Sequence, residues 1–219
     1  MVRVMKTLIL FLLLPLSLPA QPWRDLFNGR DLTGWEARGS CIWTVLNGTL
    51  IGQRTQAGLN SLTWPLDQKQ FQHWRYRQAW LYTVDNFGEF DLQLEYWIPV
   101  GGNSGVSIRD TSRGACAVSD SPTPSHIGYE IQIAEEGKYP SGSIYLFAPA
   151  RPNLHRPNEW NKLEIESRRN LIRVRLNGQL ASEHPGDPAR PKVGPIGLQL
   201  HDQFSWVLFR NIRIREFKK

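Results

Sequence analysis

Two stretches of the chain place chemistry-bearing side chains at spacings that let them act together. In GYEIQIAEEGKYPSGSIY (128–145), Tyr129, Ile131 and Ile133 alternate with Glu130 and Gln132. This is the period-two pattern of a strand with one buried face, so the carboxylate and the amide share the other face. Glu is a poor strand former. Its position therefore reads either as a solvated sheet face or as a groove that holds a polar ligand. In GPIGLQLHDQ (194–203), His201 follows a second alternating run, where its side chain alternates with Leu200. An imidazole titrates near neutral pH and can serve as base or acid. Arg109 closes a third run, NSGVSIR (103–109), and offers a cation for developing negative charge or for hydroxyl groups. Each residue also has a plainer reading. His201 could cap its strand or pair with Asp202, Arg109 could pair with Asp110 or Glu130, and Tyr145 could belong to the core.

The elements that must position these groups are strands. GEFDLQLEYWIPV (88–100) sets Phe90, Leu92, Leu94, Tyr96 and Ile98 on one face against Glu89, Asp91, Gln93 and Glu95. NKLEIESRRNLIRVRLNGQLASE (161–183) reads as a meander, with Leu163, Ile165, Ile172, Val174 and Leu176 inward. It turns near Arg169–Asn170, and Asn177–Gly178 supplies a strong hairpin signal. The C-terminal stretch adds two strands, with Leu198, Leu200, Phe209, Ile212 and Ile214 inward. Many short strands with frequent turns and no alternating helices predict an antiparallel sandwich. Trp160 is expected in the core and Asn161 in a structural role. Two segments read as loops or insertions: 112–126, rich in Ser and Pro, and 53–80, polar and aromatic, whose Trp64, Trp74 and Trp80 either line a ring-stacking lip or pack on the sandwich.

The chain of 219 residues opens with Arg3 and Lys6, an apolar run from Leu8 to Leu18, and Ala20 before a plausible cut. That pattern predicts a signal peptide over 1–20, a run too short to span a membrane, and an exported domain over 21–219. A periplasmic or extracellular location follows. Without Arg3 and Lys6 the net charge falls from +6 to +4. The basic residues are scattered, which argues against a nucleic-acid partner. Cys41 and Cys116 either pair in an oxidising compartment or remain two separate thiols.

Several motifs, in order, resemble one known family. They are LFNGRDLTGWE (26–36), FGEFDLQLEYWIPVGGNSGVSIR (87–109), GYEIQI, SGSIY, EWNKLEIE, VRLNGQL and the closing GPIGLQLHD…VLFRNIRIREF. The chain is similar to the 3-keto-disaccharide hydrolase domain of secreted bacterial proteins over nearly all of its expected mature length. It departs from that pattern in the longer 53–80 segment and at Lys138–Ser141, where many members carry a His or Thr. The resemblance implies an all-β, concanavalin A-like jelly roll of two curved antiparallel sheets, with a carbohydrate ligand on the concave face.

The resemblance also implies a reaction. A ketone at C3 of a sugar acidifies the C2 proton, so a base can remove it and expel the glycosidic oxygen from C1; water then adds back. His201, Glu130 and Arg109 are the candidate catalytic residues, as base or acid and as stabiliser of the enolate. Gln132, Glu135, Tyr145, Asp202 and Asn103 are the candidate substrate ligands. Glu130, Glu135, His201 and Asp202 also offer ligands for calcium or manganese, without a spacing that demands either. EIQIAE resembles the catalytic strand of laminarinase-type glucanases as well. Retaining hydrolysis there needs two carboxyl groups about 5–5.5 Å apart, so a bulge must bring Glu135 round to the face of Glu130. A non-catalytic, lectin-like sugar-binding module is a further alternative.

Overall fold

A computed structural model describes residues 21–115, 123–135 and 137–217. The expected signal peptide (1–20) and Cys116 lie outside the described residues. The chain folds into two antiparallel sheets packed face to face. The larger sheet contains β1 (Arg24–Asp25), β3 (Cys41–Leu46), β4 (Thr49–Arg54), β6 (Phe90–Trp97), β9 (Asn161–Arg168), β10 (Leu171–Leu176), β11 (Gln179–His184) and β13 (Trp206–Glu216). Its order is β11-β10-β9-β6-β13-β4-β3, with β1 added beside β13. The smaller sheet is β2 (Trp35–Arg38), β5 (Ala79–Thr83), β12 (Ile196–Leu200), β7 (Asn103–Ile108) and β8 (Tyr129–Ala134), in the order β2-β5-β12-β7-β8.

The apolar positions of both sheets meet in one core. Leu92, Leu94, Leu163, Ile165, Val174, Phe209 and Ile214 from the larger sheet face Leu81, Val106, Ile108, Ile131, Ile133, Leu198 and Leu200 from the smaller. Truncating one such side chain to Ala costs about 2–5 kcal/mol. Asn177 and Gly178 take φ of 50° and 80° between β10 and β11, the left-handed pair required by a two-residue hairpin. Trp160 is not in the core. It is partly exposed, and the Arg210 guanidinium lies over its ring at 3.9 Å. Asn161 is fully buried and ties the β9 start to the carbonyls of Arg156 and Glu159.

The outer faces of the two sheets differ. Along β6, buried residues alternate with partly exposed ones. Along β5, β8 and β12, every residue is buried. Two coverings account for this. Residues 109–115 fold back over β5, where Asp110 accepts from Tyr82 Oη (2.7 Å), Ser112 N and Oγ (3.0 and 2.6 Å) and Gly114 N (3.0 Å). Gly114, at φ 70°, rests so close to Trp80 and Tyr82 that a Cβ there would meet the Tyr82 ring at 2.9 Å. The short helix α2 (Pro124–Ile127) packs against β8. The inserted segment contributes the helix α1 (Gln68–Arg75), capped by the Asp67 carboxylate on Gln70 N.

Candidate active site on the smaller sheet

The register of β7 with β8 sets Ser107 opposite Glu130 and Gly105 opposite Gln132. Strand alternation puts these residues, Asn103, and Gln199 of β12 on the same outer face. Gly105 allows the approach: a Cβ on it would stand 2.7 Å from Glu130 Oε1 and 3.2 Å from Gln199 Oε1. Glu130 is 4% exposed and Gln199 fully buried. Trp80 and Tyr82, stacked at 5.6 Å, continue the floor along β5.

This face gathers polar atoms that the fold leaves unsatisfied. Asn103 Oδ1, Ser107 Oγ, Gln132 Oε1, Gln199 Oε1 and Nε2, and His201 Nδ1 are buried without a hydrogen-bond partner. Each such group costs roughly 1–3 kcal/mol, and their concentration on one sheet face makes that face the candidate site. The Glu130 carboxyl responds to the same setting. Burial pushes it up to about 7, against the opposing pull of the nearby His201, the Gln199 amide and Ser125. A carboxyl held near neutrality can both take and give a proton at working pH.

His201 stands just past the end of β12, its side chain 25% exposed and its Nδ1 3.5 Å from Asp202 Oδ2. Burial raises the Asp202 carboxyl, but His201, the Phe204 amide and Ser205 outweigh it, and the net shift is downward. Asp202 therefore stays ionised and lies within charge contact of the imidazole, without a hydrogen bond to it. Tyr145 lies at the open edge of β8, where its N–H donates to Glu130 O (2.9 Å) and its ring packs edge-on against Tyr139 at 5.1 Å.

Two expected members of the site are elsewhere. Arg109 takes φ 61°, which breaks the alternation of β7. Its side chain is fully buried and donates through Nη2 to Arg168 O (2.8 Å) on the opposite sheet. It does not face Glu130. Glu135 is also off the face, because the β7–β8 register runs unshifted from Ile108↔Tyr129 to Asn103↔Ala134 and no bulge resets the parity. Glu135 instead accepts from Gly101 N at 3.0 Å. With Glu135 gone from the set, no group of three His, Cys, Asp or Glu side chains among the described residues is placed to hold a metal ion. Trp74 is buried under the insertion and Trp80 forms part of the floor, while Trp64 is exposed. Cys41, whose thiol burial pushes up, sits near the Arg38 and Gly39 carbonyls; its candidate partner lies outside the described residues.

Sequence reading passed over Gln199 and Ser107, although the alternation in IGLQLH already puts Gln199 on the face of His201. Tyr76, which meets the His201 ring edge-on at 5.8 Å, carried no sequence signal at all.

A two-sheet antiparallel sandwich with a buried carboxyl, an imidazole and a row of free amides on one face fits the class of carbohydrate-related jelly rolls. More narrowly, the chain belongs to the 3-keto-alpha-glucoside-1,2-lyase-like domain family, which it matches over residues 22–215. Among solved structures, it is similar to a Parabacteroides distasonis protein assigned as a glycosyl hydrolase, with 24% identity and a TM-score of 0.65 over 89% of this chain and 99% of that one. The fold is shared with the carbohydrate-binding module CBM66 of Bacillus subtilis (13% identity, TM-score 0.55, 84% and 96% covered). It is shared too with a Bacillus licheniformis β-glucanase (15%, 0.52, 92% and 99%). No curated protein matches the chain.

Proposed function

We propose that this protein is an exported hydrolase that cleaves 3-keto glycosides by elimination and hydration. The observation that carries the reading is the Glu130 carboxyl, raised to about 7 beside His201 on a face of unpartnered amides. As a carboxylate, Glu130 takes the C2 proton, and the electron pair of that bond becomes the C1–C2 double bond as the C1–O bond breaks. His201, protonated and held by Asp202, gives its proton to the departing oxygen. The negative charge that gathers on O3 is met by the Gln199 amide N–H, the role that Arg109 is too far turned to fill. Water then adds at C1 with His201 as base, and Glu130 returns a proton to C2. Gln132, Asn103 and Ser107 hold sugar hydroxyls. The basic, apolar opening of residues 1–20 supports export to the periplasm or beyond. Among the described residues no helix is long and apolar enough to cross a membrane.

The test is NMR in D2O with matched 3-keto and unoxidised disaccharides. Cleavage of the keto sugar alone, with deuterium entering at C2, is the expected result. Cleavage of the plain sugar would overturn it in favour of ordinary glycoside hydrolysis, for which the face lacks its second carboxyl group. A sugar-binding module without turnover is the second reading, favoured by the many neutral hydrogen-bonding groups beside Glu130. It predicts broadened ligand signals and no product.

A further inference from the structure

The inserted segment ends beside the acid of the site, and its side chains there are unlike the rest of the face. Tyr76, 48% exposed, touches the His201 ring edge-on, and Phe204, 56% exposed, follows two residues after Asp202. Between them runs Arg75, its guanidinium 5.1 Å from the Tyr76 ring centre and 5.8 Å from that of Phe204. Arg75 makes no ion pair among the described residues, and its Nε is buried without a partner. The arrangement is rigidly joined to the turn after His201. Gln203 N donates to Arg75 O (2.9 Å), Gln203 Nε2 to Trp74 O (3.2 Å), and Trp74 packs edge-on against Phe204 at 6.0 Å. The Arg54 guanidinium adds a bond to Arg77 O.

We infer that Arg75, Tyr76 and Phe204 form a subsite for the leaving group, and that the group it selects is aromatic and anionic, of the carboxyphenyl kind. Three observations point there. The shelf adjoins His201, the group that protonates the departing oxygen, so whatever is attached to that oxygen must pass along it. Two exposed rings offer flat apolar contact to a planar group. An arginine already set among aromatic rings, with no carboxylate of its own, has a charge left for a ligand carboxylate. A second sugar ring would use the rings and leave that charge unanswered.

The inference rests on the proposed cleavage, and its test separates the two. The first measurement compares kcat/KM for a 4-carboxyphenyl 3-keto glucoside with that for a 3-keto disaccharide of the same anomeric configuration, in wild type, Arg75→Gln and Phe204→Ala. The intrinsic leaving abilities cancel between proteins. The preference for the carboxyphenyl substrate is expected to fall about tenfold in Arg75→Gln, with a smaller fall in Phe204→Ala. Equal losses on both substrates would overturn the subsite and leave the shelf a structural support. The second measurement is calorimetric binding of free 4-hydroxybenzoate, which needs no turnover. Binding to wild type that is lost in Arg75→Gln, with unchanged melting temperature, upholds the shelf even where no keto sugar is cleaved. A wild-type protein that binds no 4-hydroxybenzoate overturns it.

Discussion

The outer faces of β6 and β8 begin from nearly the same sequence pattern and reach opposite physical ends. FDLQLEYW and YEIQIA both alternate apolar with acidic or amide residues. On the larger sheet the polar positions are answered across the strands. Asp91 is paired with Arg168 at 2.6 Å and with Arg215, Gln93 accepts from Arg213, and Glu95 accepts from Arg210 at 2.7 Å. That face stays partly wet and its charges are matched. On the smaller sheet Glu130, Gln132 and Gln199 are buried, and Gln132 Oε1 and both polar atoms of the Gln199 amide have no hydrogen-bond partner. Burying a polar group without a partner lowers stability, so the fold tolerates on one face what it resolves on the other. The difference singles out a candidate site better than residue type does, since both faces carry Glu and Gln.

The comparison breaks most sharply at Glu130. Glu130→Gln keeps the shape and removes the proton transfer, and turnover of a 3-keto glycoside should fall by about 10²–10⁴-fold. The same variant should also change stability in a pH-dependent way. The folded carboxyl sits near 7 against an ordinary value of 4.5, so the folded state holds its proton more tightly than the unfolded chain does. The stability tied to that proton is complete below pH 4.5 and is lost as pH rises through about 7. The loss amounts to roughly 3 kcal/mol by pH 8. Urea unfolding at pH 4.5 and pH 8 should show wild type losing that much relative to Glu130→Gln. Equal slopes would mean that the carboxyl is not held protonated by burial.

Asp110 tests the covering that makes the two faces differ. Its carboxylate is fully buried and holds Tyr82, Ser112 and Gly114 together. Asp110→Ala removes the acceptor shared by the Tyr82 hydroxyl, Ser112 and the Gly114 amide, and a loss of about 3 kcal/mol is expected in denaturant unfolding. Hydrogen exchange at Gly114 should accelerate well beyond that of core amides in β6. Uniform acceleration would show that residues 109–115 are part of the global fold and not a separate cover.

Much of this fold was legible because its strands carry period two and its hairpins carry their own turn chemistry. Asn177–Gly178 needs only local sterics to be read, and Leu163, Ile172 and Phe209 declare their face by spacing. Glu130 and Gln132 were placed correctly for the same reason. The failures are where one backbone angle or one strand end decides. Arg109 lies in step with Gly105 and Ser107, yet its positive φ turns it through the sandwich. Glu135 needed a bulge that β8 does not contain. Trp160 looked apolar enough for the core, but an aromatic ring under Arg210 is stable at the surface. Burial of the smaller sheet's outer face depends on chain segments far away in sequence, and no periodicity within β8 could announce it.

The smallest effect comes from the matched face. Arg213 donates to Gln93 Oε1 at 3.1 and 2.8 Å, and its guanidinium lies 5.3 Å from the Trp23 ring centre, all at the exposed surface. Exposed contacts of this kind are worth little, because water replaces them at almost no cost. Arg213→Ala should therefore change unfolding free energy by about 0.5 kcal/mol or less and leave turnover at the wild-type level. The same measurement on Gln199→Ala should remove activity, although both are polar side chains on the outer face of a strand of the same sandwich. If Arg213→Ala instead reduced turnover, the larger sheet's outer face would take part in binding. The contrast between a matched face and an unmatched one would then no longer separate structure from site.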